Sequence, residues 1–83
     1  MTIRHLKVFL CVCKHQSMTK AAEELFIAQP AVSNTIAEIE KNYKVKLFDR
    51  INKKLLLTDE GKVLLIKAQE VLTAFNEFEE IAL

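Results

Sequence analysis

From residue 3 to about residue 14, Leu6, Phe9, Leu10 and Cys13 recur at helical spacing while Arg4, Lys7 and Lys14 lie outside the stripe, which predicts a first amphipathic helix. Ser17 offers a hydroxyl to cap a second helix from Met18 to about Phe26, where the stripe of Ala21, Ala22 and Leu25 is narrow enough for close helix approach. After a break at Ile27 and Ala28, Pro30 suits a first helical turn, where its missing amide hydrogen has no partner to lose, and a third helix runs to about Tyr43. Helical periodicity fails between Val45 and Thr58, and residues 48–50 and 55–57 read as two short strands around a turn at 51–54. Thr58 followed by Asp59 and Glu60 starts a last helix, with a hydroxyl cap and acidic groups at the positive end of its dipole.

That last helix carries Leu64, Ala68, Val71, Phe75, Phe78 and Ala82 in alternating steps of four and three, flanked by Lys67, Glu70, Glu77 and Glu80. About 24 helical residues extend about 36 Å, longer than so small a body can cover, so this seam is expected to meet a partner, while Val63 and Ile66 are expected to pack back onto the domain. On the third helix, Val32, Ile36, Ile39 and Tyr43 share one sector, and Gln29, Pro30, Ser33, Asn34, Ala37 and Lys41 lie on the other side. The outward side is therefore short, uncharged and hydrogen-bonding at its start, which suits base edges in a major groove better than it suits bulk solvent. Two helices joined by a tight connection, the second polar at its start, match a helix-turn-helix. The strand pair then forms a small wing whose Arg50, Lys53 and Lys54 can meet phosphate.

Composition narrows the classes. Eighty-three residues hold one small domain, and hydrophobic residues at 51% with one Gly and one Pro exclude a disordered tail or a disulfide-dense scaffold. No apolar stretch approaches the roughly 20 residues a membrane span needs, and the expectation is a soluble, cytoplasmic chain with no membrane partner. The net charge of +1 averages two unlike halves: residues 1–58 carry +5 and residues 59–83 carry −4. A basic body joined to an acidic helix points to a nucleic-acid surface coupled to another element.

Cys11 and Cys13, two residues apart on a helix, point about 200° from one another, which opposes a disulfide or a shared metal and reads as small core hydrophobes. His5 and His15 are read as polar flank without a cysteine or carboxylate at ligand spacing, so no metal and no cofactor are expected. With no phosphate-binding Gly-rich loop and no nucleophile-base constellation, the chain is not expected to be an enzyme.

In order along the chain, Leu6 and Phe9, then Ser17, Met18, Thr19, Ala21, Ala22 and Leu25, then the string AQPAVS from Ala28 to Ser33, then Ile36, Ile39 and Glu40, and finally Leu47, Phe48, Arg50, Leu57, Thr58 and Gly61 form one register. On these residues the chain resembles the DNA-binding domain and linker helix of LysR-type transcriptional regulators, over essentially its whole length. The resemblance implies a mainly α winged helix-turn-helix, three helices plus a short two-stranded wing over residues 1–58, followed by a dimerisation helix over 59–83. It implies transcription regulation by sequence-specific binding of double-stranded DNA, as a homodimer reading a partly palindromic operator. By position, Gln29, Pro30, Ser33 and Asn34 match groove-facing residues, Thr19 a backbone-contacting one, and Arg50 and Lys53 the basic wing. The family's inducer-binding C-terminal domain, which also assembles further, is not within these 83 residues, so the chain reads as a fragment or a shortened form.

Three positions depart from the family pattern: Ala28 replaces a Ser or Thr cap, Lys44 stands where Gly ends the recognition helix, and Tyr43 replaces an aliphatic residue. The rival reading is a helical oligomerisation or protein-interaction module without DNA binding, which the last helix would serve equally well. The ordered polar set on the third helix and the basic wing separate the two, because an interaction module needs neither.

Overall fold

The structure, a computed structural model, describes residues 1–82. Its elements are α1 (Ile3–His15), α2 (Met18–Leu25), α3 (Gln29–Tyr43), β1 (Phe48–Ile51), β2 (Lys54–Leu57) and α4 (Asp59–Ala82). This is a mainly helical winged helix-turn-helix with a long final helix, as the sequence pattern predicts.

Helices α1, α2 and α3 pack against one another in pairs around one core. Val8, Phe9 and Val12 enter it from α1, Ala21 and Ala22 from α2, and Val32, Ile36 and Ile39 from α3. Leu47, Phe48 and Leu55 close it from the wing side, with the Phe9 and Phe48 rings 5.8 Å apart in a tilted pair. The hairpin is pinned to the helices at both ends: the Leu55 N–H donates to the Gln16 carbonyl, and the Leu47 N–H donates to Glu40 Oε2 at 2.8 Å.

Local chemistry explains the helix ends. Thr2 and Ser17 cap α1 and α2 by accepting from the N–H groups of His5 and Lys20, and Thr58 Oγ1 accepts from the Gly61 N–H in the first turn of α4. At the other ends the chain turns through left-handed residues, Gln16, Phe26 and Lys44, with φ of 53°, 56° and 53°. Each donates its N–H back to a carbonyl of the helix it closes. Lys44 thus adopts the left-handed conformation that glycine would take more easily. The sole glycine, Gly61, is used for proximity instead: a Cβ there would run into the Leu47 carbonyl oxygen and lie 2.8 Å from the Leu57 side chain.

The wing differs from the sequence reading by one residue at each strand. Ile51 and Lys54 pair as the last rung of an antiparallel ladder that begins at Phe48 and Leu57, leaving a two-residue turn at Asn52 and Lys53. Both turn residues have positive φ, 52° and 65°, the geometry that lets a two-residue turn follow the twist of its strands.

Helix α4 packs on α1 and β2. Here the expected orientation is corrected. Val63 and Ile66, expected to turn inward, are exposed, while Gly61, Ala68 and Leu72 are buried and Leu64, Leu65 and Phe75 are half-buried. No helix among the described residues is long and apolar enough to cross a membrane.

Candidate nucleic-acid interface

The start of α3 presents Gln29, Pro30 and Asn34 to solvent, with Ser33 half-buried between them. Their placement follows from the opposite face, since Val32, Ile36 and Ile39 are fixed in the core and orient the whole helix. Ala28 supplies no side-chain cap and the first turn of α3 holds no acidic residue, so the helix does not neutralise its own positive end. Ser33 Oγ donates to the Pro30 carbonyl at 3.2 Å, which leaves the hydroxyl oxygen able to accept a further hydrogen bond. Gln29 Nε2 lies 3.9 Å from Met18 Sδ, a weak contact between the start of α3 and the start of α2. Thr19, the next residue along α2, is exposed. Sequence reasoning missed Met18 as the surface against which Gln29 rests, because the contact joins two helices.

Arg50, Lys53 and Lys54 are exposed on the hairpin, and among the described residues none of the three enters a salt bridge. Lys46, by contrast, lies 3.4 Å from Asp49. The wing cations are therefore available to an external anion, whereas Lys46 is partly engaged.

The outward face of α4 is apolar over much of its length. Val71 and Phe78 of the expected seam are exposed, Phe75 is half-buried and Ala82 is exposed. Ala68 lies in the chain's own core. Val63, Ala74 and Ile81, outside the expected seam, are exposed beside Val71 and Phe78. An apolar groove of about 260 Å³ runs alongside, lined by Leu6, Ile39, Tyr43, Leu64 and Val71 among others.

The histidines correct the sequence reading. His5 Nε2 lies 2.6 Å from Glu38 Oε2, tying α1 to α3, and His15 Nε2 lies 2.9 Å from Glu24 Oε1, tying α1 to α2. Cys11, one turn before His15, also reaches Glu24, with Sγ 3.2 Å from Oε2. The Cys11 to His15 spacing of four was visible in the sequence, but the carboxylate arrives from a different helix. Burial pushes the Cys11 thiol up to about 11, aided by its hydrogen bond to Glu24, and burial pushes the Cys13 thiol up to about 12. Both are protonated at neutral pH, which opposes a role as a reactive redox thiol. Hydrogen bonds from Lys14, His15 and Cys11 hold the Glu24 carboxyl down to about 2.

Comparison with known proteins converges on one group. A family profile described as "Bacterial regulatory helix-turn-helix protein, lysR family" matches residues 3–62. The RuBisCO operon transcriptional regulator of Allochromatium vinosum is 36% identical over 80 residues, which is 96% of this chain and 26% of that protein. The glycine cleavage system transcriptional activator of Escherichia coli strain K12 is 43% identical over 72 residues, 87% of this chain and 24% of that protein. Among solved structures, the complex of the BenM DBD with catB site 1 DNA superposes with a TM-score of 0.95 at 33% identity, covering 99% of this chain and 92% of that one. The CbnR DBD in its DNA complex gives 0.92 at 27% identity, covering 99% and 94%. The chain spans about a quarter of the length of the curated relatives it matches.

Proposed function

This chain belongs to the lysR family of bacterial regulatory helix-turn-helix proteins, which are transcriptional regulators and not enzymes, and from that premise we propose that it binds duplex DNA as a homodimer and reads a partly palindromic operator with the first turns of α3. The observation that carries the reading is the exposed polar start of α3, with Gln29, Pro30 and Asn34 outward and no side-chain cap in front of them. The two relatives solved with DNA, BenM and CbnR, share the fold over nearly the whole chain.

In this reading residues 1–58 are the DNA-binding unit and residues 59–83 the dimerisation helix. Gln29 makes paired hydrogen bonds to an adenine edge, Asn34 and Ser33 add polar contacts in the groove, and Pro30 packs against it. Thr19, Arg50, Lys53 and Lys54 meet phosphate and set affinity without reading sequence. The dimer forms through Leu64, Val71, Phe75, Phe78 and Ala82, extended by Val63, Ala74 and Ile81, with Ala68 supporting the helix from inside. The apolar groove beside Leu64 and Val71 receives apolar side chains of the second copy's helix. A role on DNA places the protein in the bacterial cytoplasm. Response to a small inducer and higher assembly are assigned to the part of such a regulator that these 83 residues do not span.

The test is a set of binding isotherms on an operator selected from a random duplex pool and on random duplex, at several salt concentrations. Gln29→Ala is expected to lose about 1 to 3 kcal/mol on the operator and much less on random duplex. Lys53→Ala is expected to weaken both and to lower the salt slope by about 1. Equal weakening of both duplexes by Gln29→Ala would remove that residue from base reading. Failure to select any duplex would leave the protein-interaction module as the better account.

A further inference from the structure

Away from the α3 surface, three potential ligand atoms of different chemical type converge where α1 crosses α2. Cys11 and His15 are four residues apart, on one face of α1, and Glu24 comes from the last turn of α2. The cysteine sulfur, one imidazole nitrogen and a carboxylate oxygen all lie within 4.8 Å of one another. In a tetrahedral zinc site, with Zn–S about 2.3 Å and Zn–N and Zn–O about 2.0 to 2.2 Å, ligand atoms stand about 3.4 to 3.6 Å apart. Cys11 Sγ lies 3.2 Å from Glu24 Oε2 and His15 Nε2 lies 2.9 Å from Glu24 Oε1, a few tenths of an ångström short of that spacing.

We propose that Cys11, His15 and Glu24 form a three-ligand site for a zinc-type divalent cation, with the fourth coordination position open to water. One thiolate, one carboxylate and one neutral imidazole supply two negative charges, which balance a divalent ion in a setting whose inner wall is the buried Cys11. The ligand mixture of sulfur, nitrogen and oxygen selects a borderline-soft ion over calcium or magnesium, which take oxygen alone. Binding replaces the proton on Cys11 Sγ, which leaves to solvent as the metal–sulfur bond forms. It also releases Lys14, whose Nζ lies 2.8 Å from Glu24 Oε1 and whose side chain is mostly in solvent, free to swing away. The imidazole of His15 and the carboxylate of Glu24 are partly exposed, which gives the ion a path in. The consequence is structural: the ion fastens α2, the first helix of the helix-turn-helix, to α1.

Cobalt(II) added alone to the 83-residue chain under reducing, oxygen-free conditions tests this. A single equivalent is expected to bind, with thiolate-to-cobalt charge-transfer absorption and the intense visible bands of a four-coordinate ion, and zinc is expected to displace it. Cys11→Ser should abolish the charge-transfer band, Cys13→Ser should leave the spectrum unchanged, and His15→Gln should weaken cobalt binding by about tenfold or more. His15→Gln lies outside the core and keeps the test decisive if Cys11→Ser does not fold by circular dichroism. The site is overturned if the folded chain gives no thiolate band, if Cys13→Ser rather than Cys11→Ser removes it, or if His15→Gln binds cobalt as tightly as the unaltered chain.

Discussion

Helix α3 holds Val32, Ile36 and Ile39 at 0%, 2% and 3% exposure, whereas α4 leaves Val63, Ile66, Phe78 and Ile81 at 60%, 55%, 66% and 87%. Both helices carry apolar residues at helical spacing, but they place them differently. Every large aliphatic residue of α3 is used by the chain's own core, which leaves Gln29 and Asn34 outward at its start. Helix α4 spends small or central residues, Gly61, Ala68 and Leu72, on attachment and keeps much of its apolar surface outside. Charge follows the same division, +5 over residues 1–58 and −4 over 59–83. A helix whose apolar stripe is satisfied within the chain is free to display chemistry, whereas a helix whose stripe is not satisfied leaves apolar surface in solvent.

The sharpest test of this contrast removes equal apolar mass from both sides. Ile36→Ala is expected to cost about 2 to 5 kcal/mol of folding stability by urea denaturation, while Ile81→Ala should cost less than about 0.5 kcal/mol in a monomer. Similar losses at the two positions would mean that the end of α4 is held by the chain itself.

A second test acts on assembly. Replacing Val71 and Phe78 together with Glu should weaken self-association by at least about 2 kcal/mol, giving a folded monomer by sedimentation, and should weaken binding to paired half-sites far more than to one. An undiminished dimer would remove this face from the interface. The smallest effect concerns how α3 ends. Lys44→Gly should raise stability by about 0.5 to 1 kcal/mol, since the residue sits at φ 53° and glycine enters that region without steric cost. Loss of stability there would show that the Lys44 side chain contributes more than its backbone costs.

Much of this was legible in the sequence because its signals are local. Ser17 and Thr58 mark helix starts through hydroxyl caps, and Pro30 marks the start of α3. The wing was placed but its turn was read too wide, since Asn52 and Lys53 lack the glycine that advertises a two-residue turn. The polar face of α3 was legible as a set because its apolar positions occupy a single sector. The face of α4 was not: apolar residues occupy more than one sector, and the heptad-like series Leu64, Ala68, Val71 and Phe75 mixes residues that face the body with residues that face away.

By itself the sequence determined the element order, the caps at Ser17 and Thr58 and the polar start of α3, each of which depends on residues within a few positions of one another. Tertiary structure decided which side of α4 is covered, because that depends on where Leu47 and the hairpin let Gly61 approach. It likewise decided that Glu24 meets Cys11 and His15, since no spacing along one helix brings a side chain of α2 to the face of α1. Periodicity tells which residues share a face; only the packing of one element on another tells what that face meets.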